Sequence, residues 1–525
     1  MCSFFLNMNK SLLERLLDYY QISESEYEKL IAPVSFANFY KGHQFDDIDK
    51  AVNLINNAIS KKEKVIIYGD YDADGVMGTS IIVKMFQYLG YEVDYYIPNR
   101  YLDGYGLNNK KAQEHIDNKY NLLIAVDNGI TAFEPIELLH NNGVKVLIID
   151  HHQNQDQVPV ADAIIHPSYS HFGEVPSSAA FTAFIFSISV LNRVDKYLAT
   201  LASISLISDM MPMLEYNRNL LRVVINEYKK GEFLAVDLLT DDEPFDETLI
   251  GMKIAPRINS IGRLCEDQSI NKIVQFFTTK DKDFILNYFD YIIETNDARK
   301  QISKIDVDEL EVNPEDKAII IKGDYKEGII GLIANSIMSK YHIPVVVFTK
   351  SSDGSLKGSA RAPEGFNVVE AFNSLNDILL SNGGHALAGG CSLNEDKFEE
   401  FKTRFIEIAK ASEIKKVEPK SIELGISELS LENYQLITSF GPFGENWAAP
   451  IFKIKHIKVS TLTYSRDHNH IITTIGNRQK LVYFNYPKDE FDHYSYVDVY
   501  GSIKQKSFKG FVYLEFGIKD YIPSN

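Results

Sequence analysis

The sequence predicts an α/β protein: a parallel-sheet domain, a smaller second α/β domain joined to it by a helical connector, and a C-terminal OB-like β-barrel. Three observations predict this. From Lys64 onward, short apolar runs alternate with helical stretches, which gives a parallel sheet covered on both faces. The alternation resumes near Lys317, after a mainly helical stretch. Beyond about Val417 the texture turns to short β segments. A chain of 525 residues accommodates three or so domains. The expected divisions are 1–215 for N-terminal helices and the first domain, 216–312 for the connector, 313–416 for the second domain and 417–525 for the barrel.

The first elements are helical. Leu12, Leu13, Leu16 and Leu17 recur at helical spacing within 11–20, as do Ile48, Val52, Ile55 and Ile59 within 46–60. Buried strands are predicted at 65–68, 93–97, 122–126, 144–149 and 163–165, with helices at 76–89 and 134–141 between them. The stretch from about Ser178 to Glu309 reads as helical. In the second unit, strands at 318–322 and 344–349 surround a helix at 329–341. Glycine-rich turns are expected at 357–359 and 383–390. Five strands follow at 452–459, 470–475, 481–485, 497–503 and 512–518. They fit an OB-type barrel, with a generic β-sandwich as the competing architecture.

Composition narrows the functional classes. Cys2, Cys265 and Cys391 are far apart, so they spell neither a disulfide framework nor a CxxC zinc site. No segment reads as a membrane span, and the opening residues lack the form of a signal peptide; translation from Met8 is an alternative start. The expected location is cytoplasmic. The net charge of −18 argues mildly against nucleic acid, because phosphate binding requires local positive charge. From Ile451 to the end, however, eleven Lys and Arg face seven Asp and Glu. There Lys504, Lys506 and Lys509 surround Phe508, with Phe511 and Tyr513 following. Such interleaving suits a single-strand track, and a solvated hairpin is the plain alternative.

Three predicted strands end in concentrated polar residues: Gly69-Asp70-Tyr71-Asp72-Ala73-Asp74-Gly75, Asp127-Asn128-Gly129 and Asp150-His151-His152. In a parallel sheet, ligands bind beyond the carboxyl ends of the strands, so the three motifs converge on one rim. Five carboxylates crowded together repel one another unless a cation compensates. Oxygen and imidazole donors without cysteine suit magnesium or manganese. Two such ions roughly 3.5–4 Å apart clamp the attacking and leaving oxygens of a phosphoryl displacement. Taken singly, the first motif also fits a solvated turn and Asp127 a capping residue. An EF-hand is excluded: six residues after Gly75 stands Ile81, where that loop needs glutamate.

These residues resemble the DHH phosphoesterase family. Asp150-His151-His152 is its signature, and the segment 70–75 is similar to its first metal motif. Leu206-Ile207-Ser208-Asp209-Met210-Met211-Pro212 resembles a further motif, which implies Asp209 as a ligand. Ile97-Pro98-Asn99-Arg100 with Gly104-Tyr105-Gly106-Leu107, and the segment 255–264, resemble the single-strand exonucleases of the family. The segments 328–334, 359–361, 365–367 and 383–390 are similar to the DHHA1 domain, and 441–444 to the entry of the OB-like domain. Asn128 stands where relatives carry cysteine, and Trp447-Ala448 where Asn-Pro is commoner. The extra C-terminal domain of some long relatives has no counterpart after the OB-like region.

The resemblance implies two Mn2+ or Mg2+ ions held by Asp70, Asp72, Asp74, Asp127, His151 and Asp209, with Asp70 either a ligand or the orienter of a water. It implies His152 at the scissile phosphate, and Asp150 orienting a neighbouring histidine. Asp74, Asp127, His152, Arg361 and His385 form the implied catalytic set. Arg100, Tyr105, Arg257, Arg263, Ser359, Arg361 and His385 form the implied substrate-binding set, with Tyr101 as a further stacking residue. The implied activity is hydrolysis of single-stranded DNA from the 5′ end, in repair and recombination, by a monomer. A single-strand-binding protein and a RecQ-like helicase are the implied partners. A phosphodiesterase for short oligoribonucleotides or cyclic dinucleotides is the alternative; a non-enzymatic replication scaffold would lack the ligand set that is filled here.

Overall fold

A computed structural model describes residues 10–39, 45–104, 106–153, 157–171, 175–304, 316–351, 354–412, 418–466, 468–476, 478–508 and 511–524. They form two compact units. One comprises Phe36–Met211 with Val224–Lys416, the other Met1–Ser35, Pro212–Val223 and Val417–Asn525.

The larger unit is built on two sheets. In the first, β1 (Val65–Tyr68), β2 (Asp94–Tyr96), β3 (Leu122–Val126), β4 (Lys145–Ile149) and β5 (Ala163–Ile165) lie in the order β2-β1-β3-β4-β5. All four pairings are parallel. Strands β1 and β3 are buried along their whole length, which is why they read as continuous apolar runs. The winding direction reverses between β1 and β3, so a crevice opens at their carboxyl ends. The helix Ala73–Tyr88 follows β1 and is buried from Ala73 through Phe86. Buried on every side, it packs against the helices Ala179–Leu191 and Lys196–Ser208.

The connector contains the helices Ala255–Leu264, Lys272–Thr278 and Lys282–Ile302. A π-helical turn, Ile250–Ile254, leads into the first of them. The end of the predicted helical stretch, 305–309, lies outside the described residues.

The second sheet joins β6 (Ile319–Lys322), β7 (Val345–Lys350), β8 (Leu356–Arg361), β9 (Leu379–His385) and β10 (Ala388–Leu393) in the order β6-β7-β8-β10-β9. Only β6 and β7 are parallel; the other pairings are antiparallel. Both predicted glycine-rich turns are corrected here. Residues 357–359 lie inside β8, and 383–390 form a hairpin whose turn is Ala386-Leu387.

The smaller unit is a six-stranded sheet of β11 (Ile422–Glu423), β12 (Phe452–Lys458), β13 (His470–Ile475), β14 (Gln479–Phe484), β15 (Tyr496–Phe508) and β16 (Phe511–Pro523). Its order is β11-β12-β15-β16-β14-β13. The N-terminal helix Leu12–Tyr20 buries Leu12, Leu16 and Leu17 in the same core as Phe440, Val499 and Phe516. Tyr20 stacks on Trp447 at 4.4 Å between ring centroids, and Arg15 pairs with Glu428. The helices Leu12–Tyr20 and Glu24–Ile31 therefore belong with the C-terminal sheet and not, as the 1–215 division has it, with the first domain, whereas the helix Ile48–Lys61 lies in the larger unit. An amphipathic stripe requires a partner but does not name one. Among the described residues, no helix is long and apolar enough to cross a membrane.

Candidate metal centre and phosphate-binding wall

The three strand-end motifs meet at the crevice. Asp72 caps the helix that follows β1, its Oδ1 accepting from the Gly75 amide at 3.0 Å. Asp74, in the first turn of the same helix, is held from the opposite side. Its two carboxylate oxygens accept from the amides of Ala179 and Ala180, each at 2.8 Å, at the start of the helix Ala179–Leu191. Four orphan amides at a helix start are a natural anion seat, so Asp74 is fixed by backbone donors. Asp127 follows β3 in the left-handed region, with φ of 62°. The next residue, Asn128, ties two strand ends together: its Nδ2 donates to the carbonyls of Tyr68, Gly69 and Val126 at 3.2, 3.1 and 2.9 Å. The substitution of asparagine for cysteine thus supplies donors a thiol lacks.

His151 joins these groups. Its Nε2 lies 3.5 Å from Asp74 Oδ2, 3.3 Å from Asp127 Oδ1 and 3.5 Å from Asp209 Oδ2. Asp209 arrives as the C-cap of the helix Lys196–Ser208. Three overlapping sets of donor atoms lie within 4.8 Å of one another: Asp74, His151 and Asp209; Asp70, Asp72 and Asp127; and Asp127, His151 and His152. Asp127 and His151 each belong to two sets, as residues shared between adjacent ions would.

The electrostatics fit a cation. Burial, then repulsion by Asp72, raises Asp70 to about 8. Burial and the charges of Asp74 and Asp72 raise Asp209 to about 8. Asp127 is pushed well above the carboxylate range by burial and four neighbouring aspartates. Asp70 Oδ1 and Asp127 Oδ1 are buried without a hydrogen-bond partner among the described residues. Buried carboxylate oxygens without donors, beside an imidazole, are the donor set that hard divalent ions take.

Asp150 differs. Its Oδ2 accepts from the Ile130 amide at 3.0 Å. Its Oδ1 accepts from the amides of His151 and His152 and from His152 Nδ1, the last at 2.7 Å. Burial works against its charge, but these hydrogen bonds hold it down to about 2. Asp150 thereby fixes the His152 ring through Nδ1.

A basic wall stands beside the acids. Burial, then repulsion from Arg100 and Arg299, lowers Arg263 to about 10; Asp72 pulls the other way and Arg361 adds to the repulsion. The Arg263 Nη1 donates to the Gly328 carbonyl at 2.9 Å. Arg100 lies 4.3 Å from the Tyr71 ring centroid, and its buried Nε has no hydrogen-bond partner among the described residues. Arg361, at the end of β8, donates to Ser359 Oγ at 3.2 Å. His385 is exposed at the end of β9, and none of the three donor sets includes it.

Arg257 is the correction among the expected DNA contacts. Its guanidinium donates to the Leu239 carbonyl at 2.7 Å and to Asp241 Oδ2 at 2.6 Å. It braces the connector and is not free for a substrate. Tyr105 lies outside the described residues. Tyr101 donates its hydroxyl to the Arg263 carbonyl at 2.6 Å, so it supports the wall. Sequence reading missed Arg299, on the long helix Lys282–Ile302, which carries no motif signal. It also missed what the 255–264 motif does. Asn259 Oδ1 accepts from the Ala73 amide at 2.8 Å, and a Cβ on Gly262 would lie 2.2 Å from the Tyr71 carbonyl oxygen. A Cβ on Gly328 would lie 2.6 Å from the Arg263 carbonyl oxygen. The motif packs bare backbone against the metal loop on one side and the second domain on the other.

Comparison with known proteins agrees with this arrangement. Residues 64–206 match the family model of the DHH family N-terminal domain, 315–411 that of the DHHA1 domain and 421–520 that of the RecJ OB domain. The single-stranded-DNA-specific exonuclease RecJ of Haemophilus influenzae is 28% identical over 480 residues, covering 83% of this chain and 82% of that protein. The RecJ of Bacillus subtilis is 28% identical over 440 residues, 80% of this chain but 55% of its own length. A crystal structure of RecJ from Thermus thermophilus in complex with Mn2+ superposes with a TM-score of 0.82 at 22% identity, covering 98% of this chain and 76% of that one. A second, of an exonuclease RecJ bound to manganese, has a TM-score of 0.60 at 26% identity, covering 72% of this chain and 95% of that one. With DHH, DHHA1 and RecJ OB domains following one another along its length, the chain belongs to the DHH family in the arrangement of the RecJ exonucleases.

Proposed function

We propose that the protein is a Mn2+- or Mg2+-dependent exonuclease that hydrolyses single-stranded DNA from the 5′ end, in DNA repair and recombination. The observation that carries the reading is the pair of donor sets Asp74, His151 and Asp209 and Asp70, Asp72 and Asp127, linked by the third set of Asp127, His151 and His152. Divalent cations bound there neutralise the carboxylates and supply Lewis-acid activation of water and phosphate. Asp74, clamped by two amides, and Asn128, tying the strand ends, hold the donors in place before any ligand arrives. His152, its ring fixed by Asp150, stands at the scissile phosphate. Arg100, Arg263 and Arg361 supply forked donors for phosphate. A basic wall beside the reacting phosphate suits a terminal phosphate group, which supports attack from the 5′ end. The OB domain supports a long strand over a dinucleotide as substrate.

The test uses single-stranded DNA labelled at either end, a dinucleotide and cyclic di-AMP, each with manganese. The expected result is stepwise loss of nucleotides from the 5′ end, abolished by Asp74→Ala. Activity confined to the dinucleotides would overturn the reading.

A further inference from the structure

The helix Ala73–Tyr88 carries a second feature, away from the acidic cluster. Lys84, on this helix, is only 7% exposed. Its Nζ donates to the Thr278 carbonyl at 3.3 Å and lies 5.4 Å from the Tyr88 ring centroid. Among the described residues, no carboxylate lies within ion-pair distance of it. Burial and the charge of Lys280 lower its pKa, against the opposing pull of Asp195. A buried ammonium with no carboxylate in direct contact is costly.

Lys84 lines a cavity of about 310 Å³, together with Tyr88, Tyr197, Phe233, Lys280 and Lys282. Three lysines face one acid there, Glu232, in a chain whose net charge is −18. The remaining walls are largely aromatic. No residue of the metal cluster lines this cavity. Its volume is at the lower end for small-molecule sites and too small for a strand of nucleic acid. Ammonium groups take phosphate as point charges, and aromatic faces take a base.

We infer that this cavity binds a nucleoside monophosphate, with Lys84, Lys280 and Lys282 on the phosphate and Tyr88 and Phe233 against the base. The choice of nucleotide over another phosphorylated aromatic rests on the exonuclease reading, because such an enzyme releases mononucleotides. The site then senses product and lies apart from the reacting centre.

Calorimetry on the full chain tests it, in EDTA and in an Arg361→Ala background, so that neither metal nor the basic wall holds the ligand. The probes are dAMP, deoxyadenosine and inorganic phosphate. We expect dAMP to bind, and the nucleoside and phosphate to bind at least about tenfold more weakly. Lys84→Met and Lys280→Ala should each weaken dAMP by about tenfold, the worth of one charge-assisted contact. Lys84→Met should also raise the thermal midpoint of the ligand-free protein. Lys280 is exposed, so its variant keeps the test decisive if Lys84→Met fails to fold. No dAMP binding at millimolar concentration, undiminished binding in the Lys280 variant, or phosphate binding as tightly as dAMP would overturn the assignment. The measurement involves no cleavage, so failure of the nuclease reading would register separately.

Discussion

Two groups of buried carboxylates in the larger unit have opposite electrostatics. Asp103 and Asp150 are surrounded by donors. Asp103 accepts from the Tyr96 hydroxyl and the Asn99 amide at 2.7 and 2.9 Å, and pairs with Lys111 at 3.2 Å. Burial opposes its charge, yet these donors hold it below the usual carboxylate range. Asp70, Asp127 and Asp209 each face further aspartates, Asp72 in every case, and burial drives all three upward. Burial alone therefore does not mark a functional acid. A carboxylate saturated with donors is scaffold; carboxylates short of donors and clustered together are a seat for cations.

The contrast breaks first at Asp127. Asp127→Asn should cut manganese-dependent cleavage by about a thousandfold or more, since a lost ligand forfeits several kcal/mol of transition-state stabilisation. The same change should raise the thermal midpoint of the chelated protein, because it removes a repelled charge. A lowered midpoint in EDTA would contradict the account. Asp150→Asn should behave in the opposite way. Activity should fall by about 10–100-fold, as for groups that orient a neighbour, while the midpoint in EDTA drops. If His152→Ala and Asp150→Asn combined lose far more than either alone, Asp150 acts by some route other than His152.

Asp103→Ala sharpens the scaffold side. Its side chain is 3% exposed and that of Lys111 is 9%, so breaking the pair should cost about 3 kcal/mol in urea unfolding. A cost under about 1 kcal/mol would class it with surface pairs. The smallest effect concerns acid stability. His115 lies among the rings of Tyr68, Tyr96 and Tyr120, and burial lowers it from 6.5 to about 4. As pH falls, the unfolded chain takes up the proton first. The neutral ring's contribution is therefore complete above about 6.5 and lost between there and about 4. His115→Phe should shift acid unfolding to lower pH; an unchanged acid midpoint would dismiss this term.

Much of the first domain was legible because parallel strands buried on both faces leave unbroken apolar runs, as at 122–126. The rim was legible because charged residues directly after such runs have no packing reason to be there. The second sheet was less so. Gly358 sits within β8 because a Cβ there would lie 2.4 Å from the Phe348 ring, and this close approach reads in sequence as a turn. Arg257 misled because its partner, Asp241, lies on a separate connector segment and nothing local announces the pairing. Asn259 and Gly262 were visible as a motif, but their work is done through backbone contacts that no side-chain chemistry reveals.

Those contacts have a mechanical consequence. Tyr71 meets Gly262, and Arg263 meets Gly328, with no side chain between. Side chains can change rotamer and absorb a misfit; peptide against peptide cannot. The helix Ala255–Leu264 therefore acts as a rigid shim whose thickness sets the gap between the metal loop and the second domain that carries Arg361. A single added methyl at either glycine would widen that gap and carry Arg361 away from the acidic rim.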